Sequence, residues 1–382
     1  MSLATDRDQA EKPAVLRLSR VPVLARESAT GVADQERKHR AAVVSVLLLS
    51  DIVAAVGTCL LIDYAFGHAS TRAALFMVPL LAASLWVAGL HSDSGLCPAE
   101  RLRRRVISIA AFTAAFMVMD TSNWGAGVLP AAASQAVLLI LVSFYFDVWA
   151  QHLLVRRGLL AARSATFGNG APTARRRHNP LMKRAFDLIV VVPAALLAAP
   201  LIAVMAIGIR ITSKGPAFYT QERVGRGERM FRLFKLRSMF VHAEQRLEQY
   251  LRCNPAARAE WDRFCKLSHD PRALPYIGNL LRRTSLDELP QLWNIICGDM
   301  TLIGPRPFPP YHTEKFDRPF QRTRASVQPG LTGLWQVCGR SESDLTVQKS
   351  LDLYYIENWS IWLDLYILLQ TPPAVFLRHG AK

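Results

Sequence analysis

The segment Leu281-Arg282-Arg283-Thr284-Ser285-Leu286-Asp287-Glu288-Leu289-Pro290-Gln291-Leu292-Trp293-Asn294 sets two adjacent carboxylates among basic and apolar residues. Leu289, Leu292, Trp293 and Ile296 recur at helical spacing, so the pattern predicts a helix whose first turn holds Ser285 to Glu288. Two readings of Asp287 and Glu288 are open from the residues alone. Ser285-x-x-Glu288 has the form of a capping box, and acidic residues in a first turn are favoured by the helix dipole. A helix start also attracts phosphate through its free N–H groups. Basic residues crowd the same part of the chain: Arg223, Arg226, Lys235, Arg237, Arg282, Arg283, Arg306, Arg324 and Arg340. Proline on both sides of Arg306 fixes the local backbone, so its planar fork is presented at low entropic cost. Arginine forks beside a carboxylate pair suggest phosphoryl chemistry with a divalent cation, because the carboxylates alone would repel a phosphate.

The elements that must hold these residues belong to a membrane protein. The chain has 382 residues, is 51% hydrophobic and carries a formal net charge of +16. Lipid-facing helices with basic cytoplasmic edges combine those properties. A nucleic-acid binder would be basic without needing long apolar runs, so no nucleic-acid partner is expected. The cysteines Cys59, Cys97, Cys253, Cys265, Cys297 and Cys338 form no CxxC pair, which argues against a zinc site or disulfide framework. They read as inert thiols, with Cys59 in lipid and Cys297 on a packed helix face.

Residues 1–40 carry charges of both signs and read as a disordered cytoplasmic tail. Apolar stretches follow at about 41–66, 73–90, 106–120 and 130–153, predicting a four-helix transmembrane unit over 41–155. Arg101, Arg103, Arg104 and Arg105 in the 91–105 loop, and Arg156, Arg157 and Arg175 to Arg177 after the fourth stretch, place both ends of that unit in the cytoplasm. Asp51 and Asp63, in or at the edge of the first helix, are read as packing or interfacial groups. Residues 156–181 form a basic linker.

A fifth apolar stretch, 186–211, is long enough to cross a bilayer, yet Lys183, Arg184, Arg210 and Lys214 make both flanks basic. Pro200 near its middle cannot donate to the carbonyl of Leu196. A re-entrant helix bent at Ala199-Pro200 satisfies both features, and a kinked spanning helix is the alternative. Residues 182–382 then read as a mainly α, α+β cytoplasmic domain. Strand-like alternation appears at 217–220 and 231–235, and helical spacing at 241–252 and 286–297. Trp359, Trp362 and Tyr366 mark an amphipathic segment interrupted at Pro372-Pro373, suited to the membrane interface.

Ordered blocks over 182–379 resemble the bacterial sugar transferase family, the monotopic phosphoglycosyl transferases. They include Lys183-Arg184-x-Phe186-Asp187, Gly215-Pro216-x-Phe218-x-x-Gln221-x-Arg223-x-Gly225, Phe234-Lys235-x-Arg237-Ser238-Met239 and Arg283-Thr284-Ser285-Leu286-Asp287-Glu288-Leu289-Pro290-Gln291. Gly298-Asp299-Met300, Gly304-Pro305-Arg306-Pro307, Pro329-Gly330-Leu331-Thr332-Gly333 and Gln336-Val337-x-Gly339-Arg340 complete the set. The resemblance implies a ping-pong transfer of hexose-1-phosphate from a UDP-sugar to undecaprenyl phosphate at the cytoplasmic face of the bacterial inner membrane. It implies Asp287 as nucleophile and Glu288 as its partner, both able to hold Mg²⁺. It further implies Arg306 and Arg340 as phosphate ligands with Arg282 nearby, and Lys235 and Arg237 as weaker candidates. Glucose or galactose is the favoured sugar, and a homodimer is allowed. Two positions depart from the pattern: Ala199 where the family breaks its helix at Ser-Pro, and Gln328 where many relatives carry a basic residue. A non-catalytic membrane scaffold for polysaccharide assembly is the competing class.

Overall fold

The computed structural model describes residues 38, 41–58, 71–91, 96–119, 128–156, 180–241, 243–264, 267, 271–338 and 345–376. Four helices come first: α1 (Ala41–Thr58), α2 (Thr71–Val87), α3 (Pro98–Met119) and α4 (Val128–Arg156). Among the described residues three helices are long and apolar enough to cross a membrane: α1, Ala133–Val155 within α4, and α5 (Pro180–Thr212). Of the expected four spans of the N-terminal unit, α1 and α4 meet this measure among the described residues. α2 is shorter, and α3 opens on a run of arginines.

Those arginines correct the expected 91–105 loop. Pro98 starts α3 well before the apolar run, which puts Arg101 and Arg105 in its first turns, buried inside the unit. Arg105 donates to Oδ1 of Asp51 at 2.7 Å, and Arg101 to Oδ1 of Asp147 at 2.8 Å. His91 Nε2 lies 2.9 Å from the other oxygen of Asp51. Asp51 is thus a buried packing group, while Asp63 and residues 157–179 of the linker lie outside the described residues.

α5 has a different environment. Only 6% of its apolar window is buried, against 39% in α1 and 33% in α4, so its middle is not a core helix of this chain. Leu196, Leu197, Val204 and Ile207 are all exposed. The helix is α-helical throughout, with Pro193 and Pro200 inside it. Its two ends, in contrast, are fastened. Arg184 donates to the carbonyls of Ile295 (2.5 Å) and Ile296 (2.7 Å), and Asp187 accepts from Thr301 Oγ1 (2.6 Å) and the Leu302 N–H (3.1 Å). At the far end Ile209 is buried with Ala217, Leu236, Leu274 and Leu281.

The remainder is built around these two anchorages. An antiparallel ribbon, β1 (Phe218–Val224) with β2 (Met230–Leu236), is followed by α6 (Ala243–Cys253), α7 (Pro255–Phe264) and α8 (Ile277–Thr284). A 3-10 turn (Leu286–Glu288), α9 (Gln291–Cys297), β3 (Thr301–Ile303), α10 (Pro310–Thr313) and α11 (Arg318–Ala325) come next. β4 (Gly330–Thr332) pairs in parallel with β3, and α12 (Leu334–Cys338), α13 (Leu345–Glu357) and α14 (Ile361–Phe376) close the chain. The β3–β4 pair needs glycine. A Cβ on Gly330 would stand 2.1 Å from the Gly304 nitrogen, so Gly304-Pro305-Arg306-Pro307 can lie against Pro329-Gly330 only without one.

α14 overturns the expected interfacial helix. Trp359, Leu363, Tyr366 and Ile367 lie in the largest apolar core instead of on an exposed face. The segment is uncharged along that stripe because Asp364, fully buried, is neutralised from elsewhere. It accepts from Lys183 Nζ (2.8 Å), Tyr355 OH (2.8 Å) and Trp359 Nε1 (2.9 Å). Nor do Pro372 and Pro373 end the helix. Pro373 deprives the Leu369 carbonyl of its donor, and Tyr145 OH of α4 supplies one at 2.9 Å. Cys297, expected on a packed face, is exposed at the end of α9.

Candidate active site

The carboxylates sit between two helices, not at the start of one. α8 ends at Thr284, and Ser285 takes a left-handed conformation (φ 57°) whose N–H donates to the Leu281 carbonyl. This is a C-terminal cap, and the Ser285 side chain makes no capping bond, which corrects the expected capping box. A left-handed serine costs on the order of 1 kcal/mol or more, so its neighbours must hold it. Leu286 does so by packing into the cluster of Ile209, Leu236 and Leu281. Asp287 and Glu288 therefore stand in the 3-10 turn beside the exit of α5.

β2 supplies the facing cation. Leu236 enters the apolar cluster, so alternation turns Lys235 the other way, toward the turn. Its Nζ lies 2.9 Å from Glu288 Oε1 and 3.7 Å from Asp287 Oδ2. Asn294, buried in α9, fixes the height of β2. Its Oδ1 accepts from the Phe234 N–H (3.0 Å), and its Nδ2 donates to the Arg232 carbonyl (2.8 Å). Sequence reasoning missed this bracket, because one asparagine in an apolar stripe carries no distinguishing signal.

Arg306 completes the group, its Nη2 lying 2.6 Å from the same Glu288 oxygen. Arg324 holds it from behind by donating to the Arg306 carbonyl and to Asp352 Oδ2 at 2.9 Å. Burial would raise Glu288, but Arg306 and Lys235 outweigh it and hold this carboxyl well below the usual range. Asp287 goes the other way. Burial pushes its carboxyl up, Lys235 opposes that, and the Glu288 charge adds to it. One member of the pair is a fixed anion and the other a less stabilised, more basic one.

Among the remaining expected residues, Arg237 has another task. Its fork donates to the Lys214 and Ser213 carbonyls, each at 2.9 Å, where the chain leaves α5. Arg282 is exposed in the last turn of α8, and Arg340 lies outside the described residues. Gln328, the departure noted above, donates to the Gly298 carbonyl at 2.6 Å. Among the described residues no group of three or more His, Cys, Asp or Glu side chains gathers. The pair alone could supply part of a shell. That suits Mg²⁺, which usually takes one or two carboxylates and completes its octahedron with water and substrate phosphate.

Residues 178–378 match the family described as bacterial sugar transferase. A UDP-galactose-lipid carrier transferase of Erwinia amylovora is 42% identical over 204 residues, which is 52% of this chain and 41% of that protein. An undecaprenyl-phosphate galactose phosphotransferase of Salmonella typhimurium is 39% identical over 207 residues, 54% of this chain and 43% of that protein. The chain thus spans less than half the length of these two. An exopolysaccharide production protein, ExoY, of Sinorhizobium fredii is 37% identical over 224 residues, 58% of this chain and 98% of that protein.

Proposed function

Because the chain belongs to the bacterial sugar transferase family, we propose that it transfers a hexose-1-phosphate from a UDP-sugar to undecaprenyl phosphate, giving undecaprenyl-diphosphate-sugar and UMP. The observation that carries this reading is the asymmetry of the carboxylate pair: Glu288 is locked between Arg306 at 2.6 Å and Lys235 at 2.9 Å, while Asp287 stands 3.7 Å from the same lysine. The names of the relatives support undecaprenyl phosphate as acceptor, galactose or glucose as the sugar, and exopolysaccharide synthesis as the setting.

In the first step an oxygen of Asp287 attacks the phosphorus bonded to the sugar. The bridging P–O bond breaks, and its electron pair leaves with UMP. In the second an oxygen of undecaprenyl phosphate attacks the same phosphorus, and the Asp287 carboxylate departs. Dividing one displacement into two in this way is the gain of covalent catalysis. Lys235 and Arg306 face the charge that develops on the transferred phosphoryl group. Mg²⁺, held by Asp287 and Glu288, would shield the diphosphate from both carboxylates.

We place this site at the cytoplasmic surface of the inner membrane, with α5 dipping into one leaflet. Both ends of α5 fasten to one domain: Arg184 and Asp187 to α9 and β3, and Ile209 to α8 and β2. A straight spanning helix would separate those anchorages by roughly 33 Å across the bilayer. The exposed apolar middle is the part left for lipid. Positive flanks on both sides agree.

Incubating the full chain in undecaprenyl-phosphate vesicles with labelled UDP-galactose or UDP-glucose tests the reading. UMP release and lipid-linked label are expected, and both vanish in Asp287→Asn. Full turnover by that variant would remove Asp287 from the role of nucleophile.

A further inference from the structure

The reaction so drawn leaves one cation beside the site unused. Tyr219, Gln221 and Arg223 alternate along β1, so their side chains share one face of the ribbon. Tyr219 pairs across the ribbon with Lys235, which sets this face toward Asp287 and Glu288. Among the described residues the hydrogen-bond partners of Arg223 are neutral, while the nearby Glu288 favours its charge. Arg223 Nη1 donates to the Pro307 carbonyl (3.1 Å) and its Nη2 to Gln221 Oε1 (2.6 Å). Among the described residues its buried Nε has no acceptor. Burial, and then the neighbouring Arg306, disfavour its charge. Glu288 is already taken by Arg306 and Lys235, so a partly buried cation beside a second cation, hydrogen-bonded to neutral groups, is an arrangement that a further anion completes.

Two exposed rings border it. Tyr311 is 65% exposed and Tyr219 is 50% exposed, and both lie close enough to Arg223 to influence its charge. Behind Tyr311 the backbone is rigid. Pro309 and Pro310 precede it, the Phe308 and His312 rings stack at 4.2 Å, and the Val224 N–H donates to the Phe308 carbonyl at 3.1 Å. A large ring kept out in water on a stiff support is poised for a flat partner.

The two ends of β1 differ. Ala217 packs with Ile209 at the C-terminal end of α5, so Tyr219 stands at the membrane end of the strand. The Arg223 backbone stands about 13 Å further along the strand, and the Val224 N–H bond to the Phe308 carbonyl brings the Tyr311 segment to that same end. A lipid acceptor arrives along α5, and a water-soluble donor is the ligand that reaches the other end.

We propose that Arg223 and Tyr311 form the nucleotide end of the donor site, Arg223 taking an oxygen of the phosphate attached to the nucleoside and the Tyr311 ring stacking on the pyrimidine. The inference rests on the UDP-sugar donor proposed above. Direct binding of UMP to the full chain, by titration calorimetry, is independent of turnover and tests it. Tyr311→Ala is expected to weaken UMP about tenfold, a size common for base–aromatic stacking, and Tyr311→Phe to restore it. Arg223→Gln is expected to weaken UMP at least as much but uridine, which has no phosphate, little; a melting curve checks its folding. Unchanged UMP affinity in Tyr311→Ala, no UMP binding by the wild-type chain, or an effect confined to the KM of undecaprenyl phosphate overturns the proposal. A chain that binds UMP through Tyr311 yet releases none from any UDP-sugar would leave this site standing and remove the proposed reaction.

Discussion

Arg306 and Glu288, 18 residues apart, meet at 2.6 Å on an oxygen that Lys235 also approaches. The bond favours the charged form of Glu288 and aims the arginine fork at the carboxylate pair. Arg306→Lys keeps the charge and loses the fork, so kcat/KM for the UDP-sugar should fall about 10- to 100-fold. Arg306→Ala should cost about 100- to 1,000-fold. Initial rates of UMP release measure both. A lysine variant at wild-type rate would mean that charge alone suffices.

The pH profile follows from the opposite shifts of the pair. Asp287 must be ionised to attack, and burial raises its pKa above the ordinary value of 3.8, so activity should fail on acidification above that value. Lys235 lowers it. Lys235→Met should therefore move the acid limb of kcat/KM to higher pH, and a limb that moves down or stays would exclude Asp287 as its source. Stability takes the reverse sign at Glu288. Its folded pKa lies below the ordinary 4.5, so its stabilisation is present above pH 4.5 and lost as pH falls through the folded value. Glu288→Gln should remove that acid-labile part from melting curves taken across the range.

What the sequence disclosed depended on how far apart the deciding partners lie. The ribbon was legible because alternation at 217–220 and 231–235 is a local property, and it lies at Phe218–Val224 and Met230–Leu236. The proline frame of Arg306 was local too. The arginines of α3 were misread as a loop because Asp51 and Asp147, which bury them, lie 54 and 46 residues away. α14 was misread as interfacial for the same reason: Lys183, which neutralises Asp364, is 181 residues upstream. Ser285 failed differently. Its spacing to Glu288 fits a capping box, but α8 ends just before it, and a residue closing one helix cannot also cap the next with the same backbone geometry.

Gly330 and Gly227 give a paired test of the close approach that carries Arg306. Gly330→Ala would press a methyl to within 2.1 Å of the Gly304 nitrogen, which cannot move without parting β3 from β4. The cost should be about 3 kcal/mol or more, with a lower unfolding midpoint and lost activity. Gly227 has φ +66° but nothing within 4 Å of a new Cβ. Gly227→Ala should therefore cost only about 1 kcal/mol of backbone strain and leave activity intact. Equal midpoints for the two variants would refute the packing argument.

The course of α5 is the most consequential prediction. Pro193 and Pro200 are seven residues apart, two helical turns, so the carbonyls they leave without donors, those of Ile189 and Leu196, open on one face. Two openings on one face bend a helix in one direction. Bending at both prolines would favour a return of the 33-residue helix to the side it leaves, which is the expected course. Met182 precedes the apolar stretch and Ile211 ends it, and both are exposed, which makes them suitable reporters. In a cysteine-free background, Met182→Cys and Ile211→Cys should both resist a membrane-impermeant maleimide in intact cells. Both should react in inverted vesicles. Labelling of Ile211→Cys from outside, with Met182→Cys still protected, would establish a spanning helix and separate the two anchorages that Arg184 and Ile209 make. Replacing both prolines by alanine restores the two backbone donors and should straighten α5. The Ile211→Cys label would then divide between the two sides, and activity should fall in proportion, because the turn bearing Asp287 is packed against the end of the helix that moves.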